Sequence, residues 1–528
     1  MPFDDKWLSS PRQSHDKILV INNHQSLPPR ERRESKHAHL SEDLLYDIFM
    51  TYRKMMSGLK PHDLDWVRVT HVCRHWRQVS LRSRGPWDHI QFTTRQYKSV
   101  KPFLERSKDV LLDVSISLDH GEPTQPQRSA LDSILDLLCR VRSLTITIAK
   151  PIQVTSIRPF LSFSAPHLKY LELVNTTGSC SLPRPTLVNC EALTSFSTSG
   201  FVVPWNASPQ PKGLKSFKLF PFFSIVHDVS RLLSWFSKCT EIEELHVVSN
   251  VQDARTIQSS TLPFDRPSLH KLRFLRLSMS SSMCSILLSH LRIPNDVEWE
   301  IRCEQYSARD PIPRIIENLP YSSGMTAMHV ILRADSLAFQ FQEYRQGNPH
   351  RNSFHVEWSV YVTIPEIFAW ISLLFDRKSK AKIEEFTFEI WSRIGSINRT
   401  LWSALLSHFP FLRVLAIRNM TCSPSRSELA SMKGFIDALL HSTTASYPLC
   451  GLTTLELKGL CCCGETDFIQ MTKKFLQKRQ DQGLRIRKLT IVQLAHVEEP
   501  KLPCADELRE LVYDLDLPRP HLLVKTLR

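Results

Sequence analysis

Between residues 114 and 489 the chain repeats one short pattern, apolar-x-x-apolar-x-apolar, and this repetition limits the architectures open to it more than any other feature. The pattern is clear at Leu144-Thr-Ile146, Leu168-x-x-Leu171-x-Leu173, Leu214-x-x-Phe217-x-Leu219, Ile242-x-x-Leu245-x-Val247 and Leu272-x-x-Leu275-x-Leu277. It returns at Ile383-x-x-Phe386-x-Phe388, Leu412-x-x-Leu415-x-Ile417, Leu452-x-x-Leu455-x-Leu457 and Ile486-x-x-Leu489-x-Ile491. Weaker copies fall near Val114, Phe196, Trp299, Met328 and Trp358. Successive copies stand roughly 29 residues apart. The last two apolar positions lie two apart and point the same way from an extended chain, so each copy predicts a short strand with one buried face. Between them, segments 129–141, 228–238, 282–291, 364–375, 401–409, 428–440 and 467–478 have helical spacing. The expected fold class is α/β, with strands and helices alternating along a stack that carries a parallel sheet on its concave side. Two α/β domains of unrelated strands are the alternative arrangement.

Composition narrows the function classes. Hydrophobic residues make up 42% of the 528 residues, enough for the bulk to fold. Only 14 glycines stand against 33 prolines, and G-x-G-x-x-G, G-x-x-x-x-G-K-[ST] and G-x-S-x-G are all absent, which removes the common nucleotide-binding and serine-hydrolase loops. The net charge is +14, but the basic residues are scattered. The densest early run, Arg30-Glu31-Arg32-Arg33-Glu34-Ser35-Lys36, is interrupted by acids and reads as a solvated tail, so a nucleic-acid partner is not expected. Thirteen cysteines form no C-x-x-C pair, and no apolar leader follows the N-terminal Met-Pro-Phe. Reduced thiols in an intracellular setting, cytoplasmic or nuclear, are the expectation. The longest apolar stretch, 368–375, falls far short of the ~20 residues that cross a bilayer, so no membrane is expected either.

Residues 1–38 mix Ser, Pro, Gln, His and alternating charge without period and read as a disordered tail, and 516–528 read as a C-terminal tail. From Leu40 the character changes. Leu44, Leu45, Ile48 and Phe49 follow helical spacing, with Ser41 available as N-cap. Trp66, Val69, Val72, Cys73, Trp76 and Val79 continue it as one or two further helices, Gly85-Pro86 stops the run, and Trp87 reads as an apolar closure. A unit this small buries little by itself, which favours docking or use as a partner-binding module.

Those residues resemble the F-box, in the F-box-like type multiplied in fungal families. The resemblance rests on Leu40-x-x-Asp43-Leu44-Leu45-x-x-Ile48-Phe49 and on Trp66-x-Arg68-Val69-Thr70-x-Val72-Cys73-Arg74-x-Trp76-Arg77-x-Val79, ending in Trp87, and covers 39–92. One departure is Ser41, where the family usually has Pro. The spacing of the later pattern is similar to that of leucine-rich repeats at their long edge, so 105–515 reads as an irregular leucine-rich-repeat-like solenoid. The Asn or Cys usual three residues after the last Leu survives clearly only as Asn250.

The resemblance implies a subunit of an SCF-type cullin ubiquitin ligase. It implies that Leu40, Leu44, Leu45, Ile48, Phe49, Val69, Val72, Cys73, Trp76 and Trp87 supply the helical core and the apolar surface that receives the adaptor, and through it a cullin. A protein substrate would lie on the repeats, whose outward strand positions include Tyr170, Glu172, Glu244, His246, Phe274, Arg276, Arg418, Glu456, Lys458 and Lys488. Their mixed signs fit a protein surface recognised by shape and local pairs. The alternative is a non-ligase scaffold whose F-box-like unit merely caps the repeats.

No catalytic site, metal site or cofactor is expected. Adjacent Cys461, Cys462 and Cys463 cannot comfortably share one ion, and His71, Cys73 and His75 fall on different faces of a helix. Cys73 reads as a small core residue between Val69 and Trp76, and Trp66, Trp76 and Trp87 as core rather than a base-stacking platform.

Overall fold

The computed structural model describes residues 40–59, 64–119, 121–150, 153–162, 164–176, 180–182, 190–203, 212–220, 229–249, 266–294, 297–303, 326–333, 336–342, 353–359, 363–376, 382–391, 397–419, 426–441, 449–460, 466–493 and 505–517. The tail over 1–38, Asn250, the three adjacent cysteines and all but the start of the C-terminal tail lie outside them. The chain divides into two compact units, the first ending at Ser80 and the second starting at Leu81.

The first unit opens with α1 (Glu42–Leu59). Ser41 caps it as expected, its Oγ accepting the Leu44 N–H at 3.3 Å, an interaction worth about 1 kcal/mol. Glu42 and Asp43 in the first turn suit the helix dipole. A 3-10 helix (Leu64–His71) follows, and then α2 (Arg74–Arg82). The core takes Leu45 and Phe49 from α1, Trp66 and Val69 from the 3-10 helix and Val79 from α2. Trp66 and Val69 stand three apart, the spacing that eclipses in a 3-10 helix. Phe49 meets Trp76 edge-on with centroids 5.5 Å apart.

One expectation fails here: Cys73, read as core, is exposed, and so is Val72, which the sequence left open between core and partner-facing surface. The 3-10 helix stops at His71, so the next position in its row, Val72, falls in the break between helices. Cys73 becomes the residue before α2, where its Sγ lies 3.4 Å from the Trp76 N–H.

The second unit is mixed α/β and is built on one large, mostly parallel sheet. Its strands are β1 (His89–Thr93), β2 (Leu112–Leu118), β3 (Val141–Ile148), β4 (Tyr170–Asn175), β6 (Ser195–Ser199), β8 (Ser216–Phe220), β9 (Glu244–Val248), β10 (Phe274–Met279) and β11 (Glu298–Cys303). They continue with β12 (Ala327–Leu332), β13 (Ser336–Gln342), β14 (Ser353–Ser359), β15 (Glu385–Ile390), β16 (Val414–Asn419), β17 (Thr454–Leu460), β18 (Lys488–Gln493) and β19 (Asp514–Asp516). The short strands β5 (Cys180–Ser181) and β7 (Phe201–Val202) pair separately. Trp87, grouped by its sequence with the first unit, lies in this one. It is buried edge-on against Phe103 at 4.9 Å, with the Arg106 guanidinium over its ring at 4.4 Å.

The repeat sets the register. Val114 aligns with Leu144, Leu171, Phe196, Phe217, Leu245, Leu275 and Trp299 in one row across the sheet. Met328 aligns in the same way with Phe386, Leu415, Leu455 and Leu489. These residues are all buried, and helices pack on them. Phe217 meets Trp235 and Phe236 of the helix Val229–Phe236 at 5.0 and 5.8 Å. Phe388 meets Trp402 of the helix Arg399–Ser407 at 5.6 Å, and Trp402 in turn meets Phe435 at 5.0 Å and donates Nε1 to the Ser431 carbonyl at 3.1 Å. Each such side chain taken fully out of water stabilises the fold by roughly 1.5–3 kcal/mol.

One stretch departs from the parallel arrangement expected throughout. The spatial order there is β11-β14-β13-β12-β15, with β13 antiparallel to both its neighbours. Phe354, four residues before the expected Trp358, takes the position opposite Trp299. The buried polar position also differs from the expected one: Asn175 and Asn419 are buried two residues after the last apolar residue, because alternation turns that position inward. Asn175 donates Nδ2 to the Gly200 carbonyl at 3.3 Å.

Candidate functional site

α1 carries two apolar stripes, and only one is used inside its unit. Leu45 and Phe49 are buried, whereas Leu44 is 53% exposed, Ile48 39% and Met55 64%. Positions 44, 48 and 55 fall within about 40° of one another around a helix of 3.6 residues per turn, so they form a single outward stripe. Val72 adds a fourth exposed apolar residue at 60%. Of the remaining residues that the sequence nominated here, Leu40 is half-buried with its carbonyl 3.4 Å from His75 Nε2, and Trp76 is half-buried against Phe49. Met55 escaped the sequence reading, although its place eleven residues after Leu44 was the available signal.

On the sheet, the ten nominated residues occupy outward positions of the register. Tyr170, Glu244 and Phe274 share one row, and Glu172, His246 and Arg276 the next. Tyr170, Glu172, Glu244 and Lys488 are exposed and the other six half-buried. They do not converge on one point. His246 lies against Phe274 with ring centroids 5.0 Å apart, and Arg276 lies 3.4 Å from Glu300. Farther along the sheet, Arg418 sits 2.8 Å from Glu456 and 3.7 Å from Glu389, and Lys458 lies 2.8 Å from Glu456. Burial pushes the Glu456 carboxyl up, but hydrogen bonds from Arg418 and Lys458 outweigh it and hold the group below the usual carboxylate range. His329 3.2 Å away, helped by Trp391 and Arg418, holds Glu389 low as well. Lys488 pairs with Asp516 at 3.8 Å.

A cavity of about 280 Å³ opens on the same face where the parallel order breaks. Phe274, Glu298, Trp299, Glu300, Gln340, Phe341, Gln342 and His355 line it. Apart from Phe274 these residues were missed by the sequence reading. Glu298 and Glu300 flank Trp299, a weak copy of the repeat, and reading outward positions from weak copies as well as strong ones would have found both. Burial keeps the His355 imidazole below its ordinary pKa despite the Glu357 and Glu300 carboxylates nearby, and His246 is lowered for the same reason.

Among the described residues no group of three His, Cys, Asp or Glu side chains could hold a metal ion, and no helix is long and apolar enough to cross a membrane. No protein-family model matches the chain, and no curated protein is significantly similar to it.

Proposed function

We propose that this chain is the substrate-recruiting subunit of an SCF-type cullin ubiquitin ligase, its first unit an F-box-like bundle that docks on the adaptor and its second a leucine-rich-repeat-like solenoid that holds a protein substrate. The exposed stripe of Leu44, Ile48 and Met55, with Val72 beside the helix break, carries the reading. Single apolar residues on a surface need no explanation, but three aligned on one helix whose other apolar stripe is already buried form a face with an apolar partner to gain. The in-register apolar row beneath the sheet supports the second half, since it is what stacked repeats require. On this reading the chain makes and breaks no bond. It raises the local concentration of a substrate lysine near a ubiquitin-charged conjugating enzyme.

Co-purification of the full chain with the adaptor and cullin tests the proposal. Leu44→Asp plus Ile48→Asp changes two exposed side chains, so circular dichroism stays unchanged while adaptor recovery falls at least about tenfold, the effect of placing charges in an apolar interface. Absence of the adaptor from the wild-type complex, or recovery undiminished by the double substitution, overturns it.

A further inference from the structure

The bases of the second unit are scattered in sequence but gathered by the sheet. The second position of the repeat, at or beside the start of each strand, is Arg142, Lys169, Thr194, Lys215, Glu243 and Arg273 from β3 to β10. From β15 to β18 it is Glu384, Arg413, Thr453 and Arg487. Within each series the backbone N–H of one position donates to the carbonyl of the position before it, so the residues form a row along one edge of the sheet. Lys169, Lys215, Arg273, Arg413 and Arg487 are exposed there. Part of this charge is already held: Arg142 lies 2.6 Å from Asp113, Lys215 2.9 Å from Glu243 and Arg413 3.4 Å from Glu384. Lys169, Arg273 and Arg487 form no ion pair among the described residues. Between β4 and β10 the segments leading to the same edge add Lys212, Lys238, Arg266 and Arg292, which are exposed and form none either. The acids beside them are Glu191 and Glu241, the latter already 2.5 Å from Lys271. This edge therefore keeps positive charge to offer, in contrast to the outward face of the sheet.

We infer that the edge from β4 to β10 receives an extended, acidic segment of the substrate polypeptide. The inference rests on the reading that the second unit holds a protein substrate, and adds what that substrate must offer. Lys169 on β4 and Arg273 on β10 stand four strands apart with Lys215 midway, so the bases recur every second strand, roughly 9.6 Å. A polyproline-II chain turns once in three residues at about 3.1 Å each, so carboxylates three residues apart repeat along one side every ~9.3 Å. A nucleic-acid strand suits the row less well, because a phosphate at every residue sets some of its charge against Glu243. A polypeptide places an uncharged residue there and leaves the pair of Lys215 with Glu243 intact.

Fluorescence anisotropy on the full chain tests this with a labelled peptide of four Glu-Pro-Pro repeats and its Gln-Pro-Pro counterpart, which has nearly the same shape and no charge. The glutamate peptide binds at least about tenfold more tightly, and its binding weakens as salt is raised. Lys169→Gln plus Arg273→Gln changes two exposed side chains outside any ion pair and weakens the glutamate peptide roughly fivefold, the scale of two exposed ion pairs. Lys98→Gln plus Lys101→Gln removes the same charge beyond the far end of β1 and changes binding less than about twofold. Equal binding of the two peptides, no binding of either, or equal losses from the two double substitutions overturns the assignment. A labelled oligothymidylate of twelve nucleotides decides the other class of partner: a larger loss for it than for the glutamate peptide in Lys169→Gln plus Arg273→Gln gives the edge to nucleic acid and overturns the assignment as well. Adaptor co-purification involves neither Lys169 nor Arg273, so the two proposals fail separately: acidic-peptide binding without the adaptor removes only the ligase reading, and adaptor binding without the glutamate preference removes only this one.

Discussion

Arg479 is a buried charge with no carboxylate beside it among the described residues, and the cost of removing it can be worked from its surroundings. It lies on the helix Thr466–Asp481 with 2% of its surface exposed. Its guanidinium donates to the Leu449 and Leu452 carbonyls at 2.9 Å each and to the Leu484 carbonyl at 3.0 Å. These contacts tie the helix both to the turn preceding β17 and to the segment leading into β18. Burial pushes the guanidinium pKa down from 12.5 to about 10, which at ~1.4 kcal/mol per unit is a desolvation cost of roughly 3.5 kcal/mol. Three hydrogen bonds from a charged donor contribute about 1.5–3 kcal/mol each, or roughly 4.5–9 kcal/mol in all. The difference favours arginine by about 1–5.5 kcal/mol, so Arg479→Met, which keeps the apolar stem and removes the guanidinium from three carbonyls, destabilises this part of the sheet by that amount. Folded proteins open locally as well as globally, so the assay is native-state hydrogen exchange resolved over 449–460 and 484–493. A loss of about 2 kcal/mol accelerates exchange there by roughly 30-fold. Exchange within about threefold of wild type in both segments refutes the claim that these carbonyls depend on the guanidinium.

Gly434 lies in the helix Arg426–His441, and a Cβ there would meet the Ile397 carbonyl oxygen at 2.7 Å and the Arg399 nitrogen at 3.2 Å. Alanine gains up to about 1 kcal/mol of helix propensity, but overpacking against backbone costs roughly 1–3 kcal/mol, so Gly434→Ala lowers the thermal midpoint, and a raised midpoint refutes the close-approach argument. His246 and His355 have folded pKa values below the unfolded 6.5, both chiefly because burial disfavours the imidazolium. The unfolded chain therefore takes up protons near pH 6.5 that the folded chain refuses. Stability is full above that pH and declines as pH falls toward the folded values. Thermal melts between pH 7.5 and 5 show this decline, and His246→Gln plus His355→Gln flattens it; an unchanged slope in the double variant assigns the effect elsewhere. Glu389 and Glu456, whose pKa values are depressed, act only at lower pH, below about 4.5.

The register of the sheet was legible because its cause is local. A residue such as Leu171 or Leu415 is buried by the same alternation that writes it into the sequence as the middle of an apolar triplet. The break at β13 was not legible. Leu337, Phe339 and Phe341 alternate as any strand does, and nothing within the segment states which neighbours it joins or in which direction. In the first unit, spacing identified Leu45 and Phe49 together with Leu44 and Ile48, but a helix apolar on two stripes does not say which one faces inward. Cys73 was misread because an α-helical period was extended through what is a 3-10 helix ending at His71. Trp87 was misplaced because proximity in sequence to the first unit says nothing of its burial against Phe103 in the second. The cavity residues were hidden for a different reason: Glu298 and Glu300 come from β11, Gln340 and Gln342 from β13 and His355 from β14, strands joined only by the irregular pairing.

Both ends of the charged face hold their charges in pairs, which limits what a charged partner could add to them. Neighbouring strands stand about 4.8 Å apart, so side chains in one row of a parallel sheet are held within ion-pair reach of their neighbours. Toward β16 and β17 the signs alternate through Glu389, Arg418, Glu456 and Lys458, with each carboxylate beside a base of the same protein and both carboxyls held below their usual range. A charged ligand arriving there must displace a pair already formed, and the exchange returns little. Around β11 to β15 the pattern is the same: Glu300 stands beside Arg276 and Arg302, and Glu357 beside Arg302 and Arg333, so a charged ligand there also meets pairs already formed.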